Sequence, residues 1–148
     1  MRIPLELDKN RTRLSVTVSV KLSGRSAIPV VFVVDTGSPV TFVDEYNTSK
    51  VRIFAKNFPF NHAALLGGTK IAMHDAGPAL MGFRAEAGGL ATIAFDALRI
   101  ARTEWTRKEA TYSSTSVLGL DFLLKSKAAL HVNPYKKTAF MEIEGQVP

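Results

Sequence analysis

Asp35-Thr36-Gly37-Ser38 is the stretch of this sequence best suited to do chemistry. It stands between two apolar runs, Val30-Val31-Phe32-Val33-Val34 and Val40-Thr41-Phe42-Val43, so the Asp35 carboxylate is expected to be partly buried. Burying an isolated ionised carboxylate is costly unless it is paired, hydrogen-bonded or protonated, and a lone Asp in such a frame calls for a partner. Gly37 allows the tight turn that brings an amide next to that carboxylate.

A second set of residues lies far downstream. Val117-Leu118-Gly119 follows the polar stretch Thr111-Tyr112-Ser113-Ser114-Thr115-Ser116. After it come Leu120-Asp121-Phe122-Leu123-Leu124, which reads as a short helix, and two alternating stretches, 129–132 and 138–143, joined across Asn133-Pro134-Tyr135-Lys136. An Asp-Thr-Gly-Ser loop after an apolar strand, then two hydrophobic residues and a glycine, a helix and a terminal hairpin, resembles the retropepsin-like aspartic proteases over roughly residues 14–144. The loop occurs once here, where two-lobed pepsin-like enzymes carry two.

The resemblance implies an all-β, closed acid-protease barrel with one short C-terminal helix. It also implies an aspartic endopeptidase in which Asp35, Thr36 and Gly37 form the catalytic loop. Ser38, Val117, Leu118 and Gly119 would support it: the Ser38 hydroxyl at the outer Asp oxygen, Thr36 bonding across a dimer interface, Val117 and Leu118 sealing the loop from water. Gly119 would admit a close strand crossing. Leu66-Gly67-Gly68-Thr69 is the expected tip of a substrate-covering flap, with Asp75 to Pro78 as the alternative. Viral members carry an Asp shortly after the loop and an Arg after the second-motif glycine. Pro39 and Leu120 stand at those places here, so a dimer must be held differently.

Hydrolysis by carboxylates takes two of them around one water, one accepting the water's proton while the other donates to the substrate carbonyl. One chain has a single such loop, and a homodimer with Asp35 on either side of its two-fold axis supplies the second. About 3 Å apart, two like carboxylates share one proton, which lets identical residues act as acid and base. The substrate would be a peptide or unfolded protein, with no cofactor. The competing reading keeps the fold as a catalytically silent dimerisation or peptide-binding module.

At 148 residues and 46% hydrophobic, the chain is long enough for one domain with a real core, and residues 1–148 are read as that domain. The absence of cysteine removes disulfides and thiolate chemistry and fits a cytoplasmic setting. The opening residues lack the apolar core of a signal peptide, and the longest apolar run, residues 27–34, is too short to span a bilayer, so no membrane partner is expected. The net charge of +6 is spread over scattered Lys and Arg without an interleaved aromatic ladder. It is read as a solvated basic surface rather than a nucleic-acid site.

The elements that must position the loop are legible in outline. Leu14, Val16, Val18, Val20 and Leu22 alternate with Ser15, Thr17, Ser19 and Lys21, the period of a half-buried strand. Residues 28–34 read as a more continuously apolar strand running through the barrel to deliver Asp35. Residues 44–58 permit a short helix or irregular chain, and residues 60–100 read as hairpins with turn-like points at Gly67-Gly68, His74 to Pro78 and Gly88-Gly89. His62, His74 and His131 match no metal-ligand spacing, even with Asp75. Asp121 is expected to cap the short helix, Trp105 to lie in core or interface, and Asp96 at a turn or strand edge.

Overall fold

The computed structural model describes residues 1–10, 13–66, 69–103 and 115–144. Trp105, Arg107, Lys108, residues 111–114 and the glycines of the expected flap tip, Gly67 and Gly68, lie outside them.

In chain order the elements are β1 (Arg2–Pro4), β2 (Glu6–Leu7), β3 (Leu14–Leu22), β4 (Ile28–Val34), β5 (Phe42–Asp44), α1 (Glu45–Ser49), a 3₁₀ turn (Ala55–Asn57), β6 (Phe60–Leu66), β7 (Thr69–Arg84), β8 (Leu90–Thr103), β9 (Ser116–Leu118), α2 (Leu120–Lys125), β10 (Ala129–Asn133) and β11 (Thr138–Glu142). Eight strands hydrogen-bond in the order β2-β3-β4-β9-β5-β8-β7-β6, and β3 also pairs with β7, so β3, β4, β9, β5, β8 and β7 close into a barrel. The expected all-β closed barrel is present. Closure leaves no open edge among these six strands.

One strand, β7, makes that closure possible. Its first part pairs with β6, from Leu66↔Thr69 to Phe60↔His74, and its last part pairs with β3, from Leu22↔Ala79 to Val18↔Phe83. Between them the β7–β8 register shifts on either side of Gly77, whose φ is +77°. A bulged glycine bends a strand without ending it, so the chain passes from the hairpin into the barrel wall. This overturns Asp75 to Pro78 as a flap tip: those residues sit inside β7. The β7–β8 turn instead falls at Gly88 and Gly89, both with positive φ.

The main core gathers Val18, Phe32, Phe83, Ile100, Leu118 and Phe122, with Phe122 between the rings of Phe83 and Phe95 at 5.4 and 5.5 Å. A smaller apolar layer, Phe42, Ile71, Met73, Ala101 and Val117, lies apart from it. Adjacent residues therefore serve different layers: Val117 the smaller and Leu118 the larger, Phe42 the smaller and Val43 the larger.

The apolar strand expected at residues 28–34 is present as β4, but only one of its faces is buried. Ile28, Val30 and Phe32 are buried, while Pro29 and Val31 are exposed, Val31 at 58%. The strand pairs with β3 on one side and β9 on the other, and only one of its faces meets the core. The alternation of β3 holds as expected, Val16, Val18, Val20 and Leu22 all pointing inward. A second sheet, β1-β11-β10, lays Ile3, Ala139 and Met141 on the main core. Among the described residues, no helix is long and apolar enough to cross a membrane.

Candidate active site

β4 ends at Val34, and the next residue, Asp35, opens a tight turn closed by Ser38 N donating to Asp35 O at 3.2 Å. Inside that turn Gly37 N donates to Asp35 Oδ1 at 2.8 Å. A Cβ on Gly37 would stand 3.1 Å from the same oxygen, so glycine keeps the amide and carboxylate in register. Asp35, Thr36 and Gly37 are exposed in the single chain, contrary to the expected partial burial of the carboxylate. The apolar residues before it enter the wall of the barrel, and the turn lifts the carboxylate clear of its end.

The loop is clamped from beneath by the second motif. Asp35 N donates to Leu118 O at 3.1 Å, and Leu120 N donates to Ser38 O at 2.8 Å. β4 and β9 run parallel, Val33 opposite Val117 and Val34 opposite Leu118, so the Val117-Leu118-Gly119 segment reaches the loop directly from the neighbouring strand. Gly119 crosses so closely that a Cβ there would collide with the carbonyl oxygen of Val40 and lie 2.8 Å from that of Ser38. The close approach expected of this glycine is what the backbone displays. Val117 and Leu118 are buried at 6% and 0% exposure.

Two sequence expectations are corrected here. The Ser38 hydroxyl donates to Val40 O at 2.8 Å rather than bonding Asp35, because the turn aims it back along its own chain. Asp121 does not cap α2. Gly119 is the N-cap, and Asp121 sits in the first turn, accepting from Phe122 N at 2.7 Å and from the Thr41 hydroxyl at 2.6 Å.

Thr41 went unnoticed in sequence. It is fully buried, and its oxygen accepts Gly119 N at 2.8 Å while its hydroxyl donates to Asp121. A hydroxyl within the apolar run Val40–Val43 was the available signal, since a buried Thr requires partners.

Further out, Asp75 and Arg99 face each other across β7 and β8, with Arg99 Nε 3.5 Å from Asp75 Oδ1, and Asn61 Nδ2 donates to both Asp75 oxygens. His74 Nδ1 lies 2.9 Å from Phe58 O, so this histidine has a backbone partner. The β6–β7 hairpin, with Leu66 opposite Thr69, rises from the smaller apolar layer through Ile71 and Met73.

A solved structure of a retropepsin-like aspartic protease from Rickettsia conorii superposes on the chain with a TM-score of 0.55, covering 95% of this chain and 89% of that one at 14% identity. The fold is retropepsin-like. No family model and no curated protein matches the sequence. In this fold the clamped Asp35 turn follows β4, and the β6–β7 hairpin pairs up to Leu66 and Thr69. One carboxylate per chain can hold or pass a single proton; it cannot by itself serve as acid and base in the same step.

Proposed function

We propose that this chain is an aspartic-type endopeptidase acting as a homodimer, with one Asp35 from each subunit around a shared water. The observation that carries the reading is the Asp35 carboxylate, exposed at the end of β4 and fixed by Gly37 N at 2.8 Å in a turn clamped by Leu118 and Leu120. A rigid, outward-facing carboxylate is poorly suited to a purely structural role and well suited to meeting its own copy across a two-fold axis.

In the proposed reaction one carboxylate of the pair, ionised, takes a proton from water as the oxygen attacks the peptide carbonyl. The other, protonated, gives its proton to the carbonyl oxygen. The tetrahedral intermediate then collapses as the amine leaves with a proton, and no covalent enzyme intermediate forms. Thr36 reaches across to the partner loop, and Gly37 holds each carboxylate in line. The β6–β7 hairpin, paired up to Leu66 and Thr69, covers a peptide or unfolded-protein substrate. The cysteine-free sequence supports a cytoplasmic setting for this activity.

The test is cleavage of an unfolded protein across acidic to neutral pH by the wild-type chain and by Asp35→Asn. The reading expects cleavage that the substitution abolishes; equal activity in the two removes it. A second reading, a silent dimerisation or peptide-binding module of the same fold, draws on Pro39 and Leu120, which cannot form the ion pair of viral relatives. Leu120 is 39% exposed. It wins if the chain shows no hydrolase activity at any pH while binding peptide.

A further inference from the structure

Between the Asp35 loop and β6 the chain forms a compact knot whose surface has a chemistry of its own. Thr48 Oγ1 donates to Ile53 O at 2.8 Å, Ile53 N donates to Thr48 O at 3.0 Å, and Ala55 N donates to Glu45 Oε2 at 2.6 Å. Thr48, Ile53 and Ala55 are buried at 1%, 3% and 0% exposure, so these bonds are internal and the knot is rigid. Its acids are spent on that scaffolding: Asp44, 2% exposed, accepts Tyr46 N, and Glu45 holds Ala55 N. Its bases and rings face outward. Tyr46, Lys50, Arg52, Phe54, Lys56 and Phe60 are all exposed.

The Lys50 ammonium stands 4.8 Å from the Tyr46 ring centre and the Lys56 ammonium 5.8 Å from that of Phe54, so both cations are held over aromatic faces. None of the ion pairs among the described residues involves Lys50, Arg52 or Lys56. Arg52 stands in the left-handed region at φ +59°, just past the end of α1, where glycine or asparagine is favoured and a side chain strains the backbone. Lys127 and Lys137 share that region at φ +49° and +53°; Lys127 lies 3.8 Å from Glu144, whereas Arg52 pairs with no carboxylate among the described residues. A residue kept against local preference, with no ion pair among the described residues, points to use outside the fold.

We propose that this knot is a secondary binding surface for acidic segments of the polypeptides cut at the Asp35 site. The proposal rests on the proteolytic reading above and names its substrate class: unfolded chains with a cluster of Asp and Glu flanking the cleaved bond. Position supports it, since the knot follows directly on β5 and leads directly into β6. It is therefore continuous with Phe42, which packs with Ile71, Met73 and Val117 in the layer below the hairpin. Carboxylates of the bound segment pair with Lys50, Lys56 and the two-pronged Arg52 guanidinium, and its apolar side chains lie on the rings. A peptide fits better than a single-stranded nucleic acid. Tyr46 and Phe54 already have one face covered by lysine, and three cations are few for tracking phosphates.

The test uses the full-length Asp35→Asn chain, to exclude turnover, and a fluorescently labelled peptide carrying four Asp or Glu residues and one Phe. A neutral peptide of equal length, with Ser and Gln in place of the acids, is the comparator. Anisotropy is expected to show tighter binding of the acidic peptide, with the preference shrinking as salt rises. Combining Arg52→Gly, Lys50→Gln and Lys56→Gln is expected to weaken acidic-peptide binding about tenfold. Arg52→Gly alone is expected to leave the melting temperature unchanged or raised, so lost binding is not lost folding. Equal binding of the two peptides, or an unchanged preference in the triple variant, overturns the proposal. So does tighter binding of a single-stranded oligonucleotide of equal charge through the same three residues. In a separate arm the wild-type chain is given two cleavable peptides differing only in an acidic or neutral tail, with a lower KM expected for the acidic one. Acidic-peptide binding without cleavage of either would refute the proteolytic reading and leave the surface standing; cleavage of both with equal KM and no binding preference would refute the surface alone.

Discussion

The hydroxyl of Thr41 donates to the carboxylate of Asp121 at 2.6 Å, joining residues eighty positions apart and fastening the segment after the Asp35 turn to α2. The same oxygen accepts the amide of Gly119 at 2.8 Å. One buried hydroxyl thus satisfies a backbone donor and a carboxylate acceptor, at the point where the two motifs meet.

Thr41→Val keeps the shape of the side chain and removes both bonds, stranding the Gly119 amide in the interior. A loss of about 1–3 kcal/mol in unfolding free energy is expected, read from the urea midpoint at constant slope. Asp121→Asn keeps an oxygen that can accept from Thr41, so it is expected to cost less than Thr41→Val. The reverse order would show that the carboxylate's charge, rather than the Thr41 hydroxyl, holds the junction.

Gly119→Ala is expected to be more damaging than its size suggests. Its Cβ would meet backbone carbonyls of Ser38 and Val40, not the ends of flexible side chains, so relief requires moving the Asp35 loop. Overpacking of this kind costs about 1–3 kcal/mol, occasionally more. A clear drop in thermal midpoint is expected, together with loss of cleavage in the protein that still folds. A variant with wild-type midpoint and activity would mean that the crossing is looser than the backbone indicates.

How far these features could be read from the residues depends on how local their causes are. The alternation of Leu14 to Leu22 sets β3 by itself, and the order of the Asp35 turn, Val117-Leu118-Gly119, α2 and the terminal hairpin was visible because each is a short contiguous pattern. The pairings that close the barrel were not. β7 reads as broken at Gly77-Pro78, yet strand pairing on both sides carries it through as a bulge. β4 reads as continuously apolar, yet its outer face leaves Val31 exposed. β1 was missed because Arg2–Pro4 has no periodicity of its own and becomes a strand only by pairing with β11. Ser38 reads as a partner of Asp35 and Asp121 as the cap of α2, yet Ser38 bonds Val40 and Asp121 bonds Thr41, since hydrogen-bond direction depends on the path of the backbone around them.

The corrected β4 yields a paired test. Val30 is 1% exposed and Val31 is 58% exposed, although they are neighbours of one type. Val30→Ala is expected to cost about 2 kcal/mol, from lost burial and the cavity left behind. Val31→Thr, at a solvent-facing strand position, is expected to stay within about 0.5 kcal/mol of wild type. Comparable losses at both positions would restore the picture of a strand buried on both faces, or show that a partner covers Val31.

The central claim, that two chains each lend one Asp35 to a shared site, is tested most directly by mixing. Wild-type and Asp35→Asn chains are unfolded together, refolded at equal proportions and constant total concentration, and assayed on an unfolded protein. If the site needs Asp35 from both subunits, only pairs of wild-type chains cut, and activity is expected to fall to about one quarter of the unmixed wild type. A fall to about one half, the result for a site complete within one chain, contradicts the account.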